Sequence, residues 1–140
     1  SLNNYPLPIM DQDLEEKEGI PDTAYRLARL IKAHQGLLIA SPEYNSSIPP
    51  LLKNTLDWVT RINEYGGNPF NPTSHLTVSL CSSSPGGYGG MRGLYHLRSV
   101  MKNLNAQIIS KQCSVAHAHQ AFEEDGALRE EHTAHTLSPY

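Results

Sequence analysis

Three times along this chain an amphipathic stretch is followed by a short apolar block, twice with almost nothing between them. TAYRLARLIKAH (residues 23–34) carries Ala24, Leu27, Leu30 and Ile31 on one helical face and turns Arg26, Arg29 and Lys32 outward, with Asp22 or Thr23 able to cap it. GLLIAS (36–41) follows at once and reads as a strand buried on both faces. Pro49 and Pro50 suit the first turn of a second helix, where a missing N–H is harmless. Leu52, Leu56 and Val59, with Leu51, Trp58 and Ile62 beside them, make its apolar face wide. LTVSLCSS (76–83) is the next strand. A third helix over 91–105, with Met91, Leu94, Leu97, Met101 and Leu104 in step, leads into a strand at AQIIS (106–110). Helix, strand, helix, strand, helix, strand calls for a parallel sheet covered by helices on both faces.

The remaining segments are read as connections. Residues 1–22 are rich in proline and acid without sustained period and predict a surface link. Residues 63–75 are a loop, and AFEEDGALREEH (121–132) suggests a turn and a short helix. There is no internal repeat, and 140 residues make one domain, 1–140.

Composition narrows the function classes. With 39% apolar and 18% charged residues the chain is globular, and a formal charge of −3 argues against generic nucleic-acid binding. Cys81 and Cys113 lack metal-ligand or disulfide-framework spacing and read as buried free thiols. No apolar run approaches a membrane span and no basic-then-apolar leader opens the chain, so the expectation is a cytoplasmic protein without membrane contact. His117 and His119, two apart, could form a metal pair on a strand, but exposed imidazoles are the preferred reading, and no metal is expected.

In open parallel sheets, ligands bind beyond the carboxyl ends of the strands. Two unusual loops fall there, residues 42–48 after GLLIAS and 84–90 after LTVSLCSS. Glu43, Tyr44 and Asn45 are either a binding group or a capped turn. The glycines at 86, 87, 89 and 90 are either a backbone cradle ahead of a helix N-terminus, favouring negative charge or electron-rich atoms, or a flexible connection. Neither P-loop, G-x-G-x-x-G nor G-x-S-x-G spacing is present. Lys53 and Asp57 read as a surface ion pair with no catalytic role.

Taken together, SPEYNSSIPPLLKNTLDWVTR and SSSPGGYGGMRGLYHLRSVMKNLNAQIIS resemble the NADPH-dependent FMN reductase family, which includes quinone, azo-dye and chromate reductases. The likeness continues through YPLPIMDQDLEE near the start and AFEEDGAL near the end. The resemblance implies a flavodoxin-like fold, FMN and NADPH as cofactors, and a homodimer or homotetramer with flavin sites near subunit contacts. It further implies that Pro42, Glu43, Tyr44, Asn45, Ser47 and Ile48 line the isoalloxazine ring, and that Ser84, Pro85, Gly86, Gly87 and Tyr88 border it from the second loop. The implied reaction passes hydride from NADPH through flavin to a quinone-like, azo or flavin acceptor. Because the cofactor carries the chemistry, no catalytic side chain is called for.

Members of that family open with a strand and a G-S-x-R-x-x-S-x-N phosphate loop that nothing here matches. The resemblance therefore implies a flavodoxin-like domain without its first two strands and first helix, leaving GLLIAS an open apolar edge. The expectation is an FMN-dependent reductase whose 140-residue piece binds FMN weakly or not at all. The alternative is a truncated, non-catalytic fragment acting only in oligomer assembly.

Overall fold

The computed structural model describes residues 1–63, 67–71 and 75–129, so parts of the expected 63–75 loop and the end of the 121–132 segment lie outside the described residues. A 3-10 turn (Leu2–Asn4) is followed by α1 (Gln12–Glu18), α2 (Asp22–Lys32), β1 (Gly36–Ala40), α3 (Pro50–Thr60), β2 (Thr77–Ser83), α4 (Met91–Asn103), β3 (Gln107–Ile108), β4 (Cys113–Val115) and α5 (Ala118–Ala121). All strand pairings are parallel, and β2 is central. β1 runs along one side of it, with Leu37 beside Val78 and Ile39 beside Leu80. The third strand position is shared: β3 pairs with Thr77 and Val78, and β4 with the stretch from Cys81 to Ser83.

Alternation decides which face of the sheet is dry. Val78 and Leu80 are fully buried and share one core with Ala24, Leu27 and Ala28 of α2, Leu52, Leu56 and Val59 of α3, and Leu94, Leu97 and Met101 of α4. Each helix contributes most of the positions its period predicts, although Leu51 of α3 is exposed and Met91 of α4 lies outside the core. Leu30 is the exception in α2, lying outside that stripe and half exposed. The helix starts at Asp22 behind Pro21 without a side-chain cap, so neither Asp22 nor Thr23 serves as one. In α3, Pro50 occupies the first turn as expected, and Lys53 and Asp57 form the surface ion pair at 2.7 Å.

The other face of the sheet differs from the expectation. β1 alternates rather than being buried throughout, and Leu38 is 65% exposed. Its register neighbour Ser79, and Cys81 and Cys113 further along, are half-buried. The described residues thus cover one face well and leave the reverse face open, because α2, α3 and α4 all pack into the same core. The cysteines are free but not fully buried, and burial raises both thiol pKa values, with Cys113 adding to the effect on Cys81. β1 pairs with β2 alone, and its outer edge meets no strand among the described residues.

Residues 1–22 are a second difference. They are a docked strap. Leu2, Tyr5, Leu7, Met10, Leu14 and Ile20 pack against the core, and Asp11 caps α1 by accepting from the amides of Asp13 and Leu14. Glu15 pairs with Arg61 at the end of α3, at 2.9 Å.

The third strand position is interrupted. Residues 109–112 stand against only 79 and 80 of β2, a two-residue surplus. Arg98 of α4 holds this bulge by donating to the carbonyls of Ile109 (3.0 Å) and Ser110 (3.2 Å) and to the Gln112 side chain (3.2 Å). The expected strand over 106–110 is accordingly shorter, and β4 follows where none was expected. At the end of the described residues α5 stops at Ala121, and Phe122 bridges to Leu128 around the expected turn, which contains Gly126.

Candidate functional site at the strand ends

Because β1 and β2 are parallel and in register to Ala40 and Cys81, their following loops leave the sheet at the same end. The 42–48 loop is a tight turn in which the Tyr44 amide donates to the Ser47 carbonyl (2.9 Å) and the Ser47 amide donates back (3.0 Å). Asn45 and Ser46 at its tip both have positive φ, 50° and 63°, the pattern of a type I′ turn. Tyr44 is 55% exposed.

The 84–90 loop is fixed from the opposite side. Ser84 donates its amide to Val115, Ala118 donates to Ser84, and His117 donates to Gly86, so the turn after β4 forms a third wall. Ser114 Oγ lies 3.0 Å from the carbonyls of both Tyr88 and Gly89. The glycines divide by role. A Cβ on Gly89 would come 2.7 Å from the backbone of Val115 and Ala116, and one on Gly90, at φ 84°, would overlap the Ser82 hydroxyl. Gly89 and Gly90 therefore serve internal packing, whereas Gly86 and Gly87 have ordinary room around them. The ring of His117 stands 3.9 Å from where a Gly87 Cβ would be.

Glu43 joins the two loops. Its side chain is only 8% exposed, and its carboxylate accepts from the Gly93 amide (3.1 Å) and from Arg92 Nη2 (2.6 Å) and Nε (3.0 Å). The Gly93 bond and then Arg92 hold the Glu43 carboxyl below its ordinary pKa, against the opposing effect of desolvation. Arg92 in turn places its guanidinium 5.0 Å from the centre of the Tyr88 ring. One turn further along α4, His96 Nδ1 lies 3.1 Å from Ser47 Oγ. A carboxylate from one strand-end loop thus caps the helix that begins at the other.

The expected site residues are therefore brought to one end of the sheet, with different surroundings. Pro42, Tyr44, Asn45, Pro85, Gly86, Gly87 and Tyr88 are exposed at that end of the sheet. Ile48 packs against the core, Ser84 Oγ accepts from the Gly86 amide at 3.3 Å, and Glu43 and Ser47 are turned toward α4. Arg92, Gly93, His96, Ser114 and His117 were not singled out from sequence as parts of this region. Only the Gly90-Met91-Arg92-Gly93 run at the start of a helix could have signalled the first two.

A flat heteroaromatic group with a hydrogen-bonding edge fits this arrangement. The amides of Asn45, Ser46, Gly87 and Tyr88 have no partner among the described residues, and two tyrosine rings stand exposed nearby. The buried hydroxyls of Ser82 and Ser83, at the end of β2, are also unpartnered. The amino end of α4 does not fit a phosphate, because Glu43 occupies it. A cavity of about 360 Å³ between α3 and α4, lined by Lys53, Leu56, Asp57 and Asn103 among others, shares no residue with either loop. Among the described residues no three His, Cys, Asp or Glu side chains are grouped to hold a metal ion, although the His117 and His119 rings lie edge to face at 6.4 Å. No described helix is long and apolar enough to cross a membrane.

Parallel strands flanked by helices, with the loops after β1 and β2 leaving at the same end, define an α/β protein of flavodoxin-like arrangement. The chain belongs to the NADPH-dependent FMN reductase family, whose profile matches residues 1–120. It is 38% identical to a quinone reductase of Escherichia coli K12 over 105 residues, 75% of this chain and 53% of that protein. It is 35% identical to an NAD(P)H:quinone oxidoreductase of Solanum tuberosum over 135 residues, covering 94% and 66% of the two chains. Among solved structures, the flavoenzyme NAD(P)H:acceptor oxidoreductase FerB of Paracoccus denitrificans superimposes with a TM-score of 0.71 at 29% identity, over 92% of this chain and 68% of that one. The chain spans about half the length of the first of these relatives.

Proposed function

We propose that this chain supplies the ring-binding cleft of an FMN-dependent reductase that takes electrons from NADPH and delivers them to a quinone-like acceptor. The observation that supports this most directly is the Glu43–Arg92 junction, which ties the turn carrying Tyr44 to the helix that follows Tyr88 and leaves both rings exposed. The amides of Asn45, Ser46, Gly87 and Tyr88 would donate to the polar edge of the isoalloxazine. Pro42, Tyr44, Pro85, Gly86 and Tyr88 would border its plane, Asn45, Ser47 and Ser84 would supply polar groups at the rim, and Glu43 and Ile48 would hold the loop in shape. Bound FMN supplies two-electron hydride chemistry, which azo compounds and free flavins can also accept. The protein's part is orientation and exclusion of water. A homodimer or homotetramer suits the exposed Tyr44, Leu51, Tyr88 and Tyr95.

Flavin titration tests the reading. FMN fluorescence is expected to be quenched saturably with micromolar or weaker affinity, and Tyr88→Ala to weaken the binding by about tenfold, the stacking contribution of one aromatic ring. NADPH oxidation with FMN and benzoquinone should follow the quenched fraction. Unquenched FMN at about 1 mM protein, with the chain folded, would overturn it.

A further inference from the structure

The amino end of a thirteen-residue helix attracts anions, through its free amides and its dipole. In α4 that end has no acidic residue in its first turn and no side-chain cap from Gly90. The partner comes from 50 residues away in sequence: one Glu43 oxygen takes the Gly93 amide, and the other takes both Arg92 contacts. Gly93 makes the approach possible, since a Cβ there would stand 3.1 Å from the Ser47 carbonyl and 3.3 Å from Glu43 Cβ. The same carboxylate offsets the charge of the guanidinium that faces Tyr88. One buried side chain therefore satisfies the helix, balances the arginine and sets the distance between the two loops.

We propose that Glu43 is a positioning and specificity residue: its carboxylate fills the amino end of α4, locks the 42–48 loop to the 84–90 loop, and so reserves the cleft for the uncharged planar part of a ligand while turning anionic groups away. The selectivity half rests on reading the cleft as a ring site. The locking half stands on the contacts alone. An incoming phosphate would have to displace a carboxylate already bonded to an amide and an arginine, at the cost of two like charges in one small space. Removing the charge without changing the shape leaves one acceptor oxygen where two served the Gly93 amide and Arg92, and takes away the charge that opposes an external anion.

Two measurements on the ligand-free chain test this. Amide hydrogen exchange in Glu43→Gln is expected to rise about tenfold at Gly93 and at the hydrogen-bonded amides of Tyr44 and Ser47, as for loss of a charge-assisted bond, while Leu27 and Ala28 in α2 stay as in the wild type. Arg92→Lys should give a smaller rise at the same amides, and it carries the test if Glu43→Gln does not fold. Titration with inorganic phosphate to about 10 mM should leave the Gly93 amide resonance unmoved in the wild type and shift it saturably in Glu43→Gln. Unchanged exchange in both variants, or a wild-type Gly93 resonance that titrates with phosphate, overturns the proposal. Failure of the wild type to quench FMN, with both results as expected, counts against the ring-site reading alone.

Discussion

The indole Nε1 of Trp58 donates to the carbonyl of Pro8 at 2.8 Å, across fifty residues of chain. Asn54, one turn earlier on α3, donates to the same carbonyl at 2.9 Å and accepts from the Met10 amide at 2.7 Å. A proline-rich segment with few partners of its own thereby gains three bonds from one helix. Asn54→Ala should destabilise the chain by about 1–3 kcal/mol and speed proteolysis within residues 1–20. Urea midpoints and limited digestion read both; an unchanged digestion rate would mean the strap is held by its apolar contacts alone.

Gly90 is expected to be intolerant of any side chain. Gly90→Ala places a methyl group against Ser82 in a backbone conformation that suits glycine, so it should cost about 2–4 kcal/mol. Pairing it with Ser82→Gly removes the overlap but not the strain. Recovery of part of the lost stability in the double variant, by thermal melting, checks the assignment, and no recovery would place the penalty wholly in the backbone.

The acid limb of stability should carry Glu43's signature. Its folded pKa lies below the ordinary glutamate value of 4.5, so its contribution is complete above that pH and disappears as pH falls through the lower folded value. Wild type and Glu43→Gln should differ most above pH 4.5 and converge in acid. A gap in urea midpoint that stays constant from roughly pH 6 to pH 3 would show that the charge is not responsible.

Much of this was legible in the residues. The helical spacing of Leu27, Leu56, Leu94, Leu97 and Met101 marks the core face, and the alternation in β2 marks its buried side, because both periods are local properties of the chain. What escaped was set by distance in sequence. GLLIAS reads as buried on both faces, yet its burial depends on what covers each side, and the helices that follow β1 and β2 pack with α2 into one core. The order in residues 1–22 comes from Asn54 and Trp58, which no inspection of that segment reveals. In the candidate site, the two loops stand out by their glycines and their Glu-Tyr-Asn run. The use of Glu43 as a cap for a helix fifty residues on, and of Gly89 and Gly90 as packing rather than cradle, emerges only when β1, β2 and β4 are side by side.

Arg98 gives the fourth expectation. Its guanidinium satisfies two carbonyls and a side-chain oxygen in the 109–112 bulge, and Arg98→Ala leaves these groups to water, for a loss of about 0.5–1.5 kcal/mol. Exchange should quicken at Cys113 and Val115 before it does in β1. Equal acceleration in both strands would indicate a general loosening rather than release of the bulge.

That surplus of two residues also indexes the molecule's working end. Counting from β3, it is the bulge rather than any loop that decides how far along the sheet Ser114 and His117 arrive beside Tyr88 and Gly87. If the same four residues ran as regular strand, Cys113 would face Ser83 instead of Cys81 and the third wall would advance by roughly 6–7 Å, two strand steps, with the 42–48 and 84–90 turns untouched. Cleft width in this scaffold is therefore adjustable from the middle of a strand, a site remote from the groups a ligand would meet.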